Sequence, residues 1–91
     1  MKQLEKIFKG LANRRRLQII RVLAKKKELP VATIAREINL SFTSTSKHLA
    51  LLRQLDIVDR RQESLTVYYR ISDSLPDVAR SVFSLISNSR E

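Results

Sequence analysis

Between positions 41 and 48 the chain gathers five hydroxyls, one ammonium group and its single imidazole. They belong to Ser41, Thr43, Ser44, Thr45, Ser46, Lys47 and His48, with Phe42 among them. A hydroxyl attacks a bond only when a base and an orienting acid stand beside it, and no Ser–His–acid set can be assembled here. There is no cysteine, which removes thiol nucleophiles, disulfides, thiolate zinc sites and thiol redox switches together. One glycine cannot supply a loop that cradles phosphates. The chemistry open to this cluster is non-covalent: short donors and acceptors beside a cation. Neither an enzyme nor a cofactor is expected.

Charge indicates the partner. Eighteen Lys and Arg against nine Asp and Glu leave +9, with a pI near 10.7. Residues 1–27 carry ten basic groups and one acid, Glu5; residues 28–91 carry eight of each. Such a domain seeks a polyanion, and double-stranded DNA is the partner expected. A well-solvated helix pair is the plainer reading of the same charge. At 91 residues there is room for one domain, spanning 1–91, with a modest core. No apolar run is as long as a membrane span, and no signal peptide follows Met1, so a soluble, cytoplasmic protein is expected.

Most of the chain reads as helix. Leu4, Ile7, Phe8 and Leu11 recur at helical spacing, which predicts a short first helix from Lys2 to about Lys9, ended by Gly10. Asn13 suits the N-cap of a second helix to about Lys25, with Arg14, Gln18, Arg21 and Lys25 along its polar stripe. Pro30 opens a third helix whose buried face is Val31, Ile34, Ala35 and Ile38. Asn39-Leu40 makes a tight turn, and Ser41 caps a fourth helix to about Leu55. There Phe42, Thr45, Leu49 and Leu52 share one face, and Thr43, Ser46, Lys47, Ala50 and Gln54 the other. Asp56 stands where the chain reverses and suits left-handed backbone.

The period then shortens. Residues 57–62 and 65–71 read as two strands about a Glu63-Ser64 turn. Val67, Tyr69 and Ile71 alternate with the wetter Tyr68 and Arg70. Ser74-Leu75-Pro76-Asp77 resembles a capping box before a last helix. Its arc of Leu75, Val78, Ala79, Val82, Phe83, Leu85 and Ile86 is too broad for one domain face, which points to a second buried contact.

Two short helices about a tight turn, followed by a hairpin, define a winged helix-turn-helix: mainly α with a small β-hairpin (α+β), five helices and a two-stranded wing. The run Ile34 to Val58, IAREINLSFTSTSKHLALLRQLDIV, resembles the ArsR-type family of transcriptional regulators. Leu11-Ala12-Asn13 with Arg16-Leu17 and Ile19-Ile20 matches that family's opening, and Val67-Tyr68-Tyr69-Arg70-Ile71 matches its hairpin end. The resemblance implies a homodimeric, sequence-specific DNA-binding regulator, more often a repressor, paired through its first and last helices. Leu4, Ile7, Phe8, Val78, Val82, Phe83 and Ile86 are the dimer residues it suggests.

In that setting Ser41, Phe42, Thr43, Ser44, Ser46, Lys47 and His48 are candidate DNA contacts, because short side chains let a helix approach base edges. Lys47 suits a guanine or a phosphate. Phe42 packs beneath the turn or touches a thymine methyl. His48 is a phosphate contact or a partly buried structural residue. Arg60 and Arg61 are the wing candidates, with Arg61 favoured over its pairing with Asp59 or Glu63. Ser64 and Leu65 stand where the family usually has glycine and arginine, which implies a weaker wing grip. The family's metal-binding cysteines fall at Pro30 and Ala32, and residues 73–91 hold no histidine, so no metal is expected. A protein-interaction module, an RNA-binding module and a membrane-surface helix are the other classes weighed. The sheet has only Tyr68 and Tyr69 for stacking bases, and the basic helix has the apolar face of a core helix.

Overall fold

The structure is a computed structural model and describes residues 2–88. Its elements are α1 (Lys2–Leu11), α2 (Arg14–Lys25), β1 (Leu29–Pro30), α3 (Val31–Glu37), α4 (Phe42–Gln54), β2 (Val58–Glu63), β3 (Thr66–Ile71) and α5 (Asp77–Ser87). This is a winged helix-turn-helix with one extra short strand.

Local chemistry sets most boundaries. The Asn13 side chain accepts the Arg16 N–H at 3.1 Å, and Ser41 Oγ accepts that of Ser44 at 3.1 Å, so both expected caps form. Asn39 and Asp56 take positive φ, 55° and 60°. Each closes a Schellman turn: Leu40 N–H bonds the Ala35 carbonyl and Ile57 N–H bonds that of Leu52, both at 3.0 Å. The first turn joins α3 to α4; the second sends the chain into the wing.

Three boundaries differ from the sequence reading. Gly10 lies inside α1 rather than ending it. A Cβ there would sit 2.2 Å from Leu55 Cδ1, so the missing side chain lets the end of α4 press on α1. Ser74 does not cap α5: its N–H bonds Ser72 Oγ, and Pro76, held at φ −56°, stands at the N-cap without a side-chain bond. The hairpin turns at Ser64-Leu65, not Glu63-Ser64, because Glu63 pairs with Thr66 and Ser64 takes φ 57°. That register sets Val58 opposite Ile71; a shift of one residue would send one strand's inward side chains to water.

Leu29 and Pro30 pair with Tyr69 and Tyr68, giving the sheet order β1-β3-β2. Two residues have no periodicity to read. Pro30 is tolerated because β1 is an edge, where a missing N–H leaves no neighbour unpaired.

Ile19, Ile20 and Leu23 of α2 meet Val31 and Ile34 of α3, Leu49 and Leu52 of α4, and Ile57, Val58 and Tyr69 at the base of the wing. Each such side chain contributes about 1.5–3 kcal/mol by leaving water. Buried Thr45 donates its hydroxyl to the Ser41 carbonyl at 2.8 Å and leaves no polar atom orphaned. The core grips α4 from one side only. Its other face is free to meet a partner. Among the described residues no helix is long and apolar enough to cross a membrane.

Candidate nucleic-acid interface

On the outer face of α4, Thr43, Lys47, Ala50 and Gln54 are exposed and Ser46 is half-buried, as the helical spacing requires. Ser44 is half-buried. Ser41 uses its oxygen as the helix cap but keeps an O–H to donate. Phe42 departs from the expected packing: it is 58% exposed. Leu40, delivered inward by the Schellman turn, packs against the core instead, and the buried stripe of α4 starts only at Thr45.

His48 is held from below. Arg16 Nη1 lies 3.2 Å from His48 Nδ1. A guanidinium has no lone pair, so Nδ1 must accept and Nε2 carries the hydrogen. The same Arg16 donates Nε–H to the Gly10 carbonyl and Nη2–H to that of Lys9, joining the end of α1 to α4 through α2. Arg15 similarly donates to the Ile38 carbonyl at the end of α3. His48 is thus half-buried, with Nδ1 engaged by Arg16.

Burial first, then the charges of Arg16 and Arg15, holds the His48 pKa below its ordinary 6.5. The unfolded chain therefore binds a proton more readily than the folded one. Stability should fall as pH drops through about 6.5 and level off below the folded pKa. In His48→Asn, whose Oδ1 can replace Nδ1 as acceptor, that step should vanish. Urea midpoints at pH 7.5, 6 and 5 test this; identical pH dependence in both proteins would refute it.

The wing separates its two arginines. Arg61 lies opposite Tyr68 in the register and stacks on its ring, 4.7 Å from the centroid. It pairs with Glu28 at 2.7 Å and Glu63 at 2.9 Å. The hydrogen bond from Arg61 also holds the Glu28 carboxyl below the usual carboxylate range. Arg61 is thus paired with Glu63 and with the unforeseen Glu28, while Asp59 pairs with Arg70 at 3.6 Å. Strand alternation turns Arg60 to the opposite face, where it lines a cleft with Ser46 and Ala50 of α4. Arg60 is the wing cation beside the helix.

A second surface lies on α1 and α5. Leu4 is 37% exposed, Phe8 50% and Leu85 74%. Ile7, expected there, is buried in the protomer's own core. It faces inward with Leu11, whereas Leu4 and Phe8, four residues apart, form an outer stripe. Val78, Val82, Phe83 and Ile86 are half-buried and already packed on the core. Leu85, on the apolar arc of α5, is exposed because the helical wheel places it about 120° from the buried Ala79.

Residues 13–60, just over half of the chain, match the family described as bacterial regulatory protein, arsR family. The chain belongs to the ArsR family. The match runs from the cap of α2 through the whole helix-turn-helix to Arg60. Among curated ArsR-type relatives, the transcriptional activator HlyU of Vibrio cholerae is 40% identical over 68 residues, which are 75% of this chain and 62% of that protein. A cadmium resistance transcriptional regulatory protein, the CadC homolog of Staphylococcus aureus, is 40% identical over 68 residues, 75% of this chain and 56% of that protein. The chain thus spans less than two-thirds of those relatives' length. A solved homodimeric winged helix-turn-helix DNA-binding domain from Mycobacterium bovis, of a possible ArsR-family regulator, superposes with a TM-score of 0.79. It is 39% identical, and the superposition covers 93% of this chain and 75% of that one.

Proposed function

We propose that this protein is a homodimeric, sequence-specific regulator of transcription that binds double-stranded DNA, with α4 in the major groove and the wing beside it. The observation that carries the reading is the one-sided burial of α4: its inner stripe is locked in the core while Thr43, Lys47 and Ala50 stand outward on a chain of charge +9. Thr43, Ser46, Lys47 and Arg60 are the contacts proposed, with Ser41 donating to phosphate. The protomer measures 38 × 27 × 21 Å, a size that lets a two-fold pair set its α4 helices about 34–36 Å apart, one DNA turn. Leu4, Phe8 and Leu85, with Val82 and Ile86 beneath them, form the seam. Repression is the proposed mode, since occupying the duplex is enough to block transcription, and the cytoplasm the place of action. In-vitro selection from a random duplex library tests the core of this. A pseudo-palindromic consensus is expected; sequence-blind binding would instead favour a protein-interaction module.

Metal control is not part of the proposal, although a relative is named for cadmium resistance. The family's cysteine stretch corresponds to Glu28-Leu29-Pro30-Val31-Ala32. Pro30 and Ala32 have no ligating atom, and the Glu28 carboxylate is occupied by Arg61. Operator affinity should therefore be equal with and without micromolar zinc at fixed ionic strength. A tenfold change, about 1.4 kcal/mol of coupling, would reveal a site built from other groups.

A further inference from the structure

Phe42 opens α4 directly after the Ser41 cap, and its ring stands in water. A phenyl ring left exposed forgoes about 1.5–3 kcal/mol of burial. The fold gains little from it, since the ring is 58% exposed and Leu40 already packs against the core nearby. The exposed neighbours on its own turn, Ser41 and Thr43, are polar. The ring borders a cleft of about 450 Å³ between α4 and the wing, whose apolar lining also includes Val31, Ala32, Val67 and the 96% exposed Leu65. A hydrophobic group thus sits at the end of the helix that approaches base edges first.

We propose that Phe42 is a specificity-determining residue that packs on the C5-methyl of a thymine in the major groove. This rests on the DNA-binding reading above. A phenyl ring neither donates nor accepts a conventional hydrogen bond, so it is blind to the polar edges of guanine, adenine and cytosine. The methyl of thymine is the one apolar feature a base pair displays in that groove, and phenylalanine is among the side chains that contact it. The half-site therefore carries a thymine within reach of the first turn of α4, chosen by apolar contact rather than hydrogen bonding.

The test replaces thymine by deoxyuridine, position by position, in the duplex that the unmutated protein selects from a random library. That change deletes a methyl and leaves every hydrogen-bonding group in place. At one position of each half-site, affinity should fall about fourfold for one substitution and about fifteenfold for both. Phe42→Ala should bind the thymine duplex as weakly as the unmutated protein binds the uracil one, and should not distinguish the two. Phe42→Leu should restore part of the preference. Both variants should stay folded, with thermal midpoints within a few degrees of the parent's, because most of the ring is exposed. Selection without a consensus would overturn the DNA-binding reading itself. A consensus with no thymine near α4, uracil tolerated everywhere, or an undiminished thymine preference in Phe42→Ala would overturn this inference alone. The ring would then be a docking point for an apolar group of another protein.

Discussion

Leu85→Asp is expected to convert the proposed dimer to monomers and to cost operator binding at least roughly a hundredfold. Leu85 is 74% exposed on α5, the helix that packs against α1, so the protomer does not need it to fold. In a two-fold seam one substitution introduces two carboxylates, each without a partner and each losing its hydration. Two half-site contacts held together reinforce each other by about 10²–10⁴ in affinity, and a monomer forfeits that gain. Val82→Asp is the less clean variant, because Val82 already packs on the core and its replacement weakens the protomer as well. Light scattering and duplex titration on the same samples read both effects. The idea fails if the unmutated protein is monomeric at micromolar concentration, or if Leu85→Asp remains a dimer.

Lys47→Ala should abolish most of the protein's preference among duplex sequences. Lys47 is exposed in the second turn of α4, flanked by Ser46 and one turn before Ala50, whose small side chain lets the helix sit close. A base-edge contact of this kind discriminates by about 1–3 kcal/mol, or roughly five- to 150-fold. Arg14→Ala on α2 provides the contrast. If Arg14, which is exposed, reaches a phosphate, its loss weakens all sequences alike and lowers the salt slope by about 0.9. Titrations of consensus and scrambled duplexes at several salt concentrations separate the two outcomes. If Lys47→Ala keeps its preference and merely flattens the salt slope, Lys47 holds a phosphate and α4 is not read through it.

The candidate site was legible where its cause is local. The apolar spacing of α3 and, from Thr45 on, of α4, the caps at Asn13 and Ser41 and the turns at Asn39 and Asp56 act within about five residues, and the structure realises them. The inner and outer faces of α4 follow from that spacing alone. Hence the helix-turn-helix, and which side of α4 stays exposed, were determined by the sequence itself.

Tertiary structure decided whatever depends on which distant surface arrives. Gly10 reads as a helix stop until Leu55, forty-five positions on, presses against it. Ile7 and Phe8 are adjacent and both apolar, and only the packing of α1 on the rest of the chain sends one inward and leaves the other exposed. Leu40 takes the inward place expected of Phe42, and Glu28 reaches across thirty-three positions to occupy Arg61, leaving Arg60 beside α4. Propensities and caps act over a few residues of backbone, whereas burial and ion pairing are contests among side chains that come together only when the chain has folded.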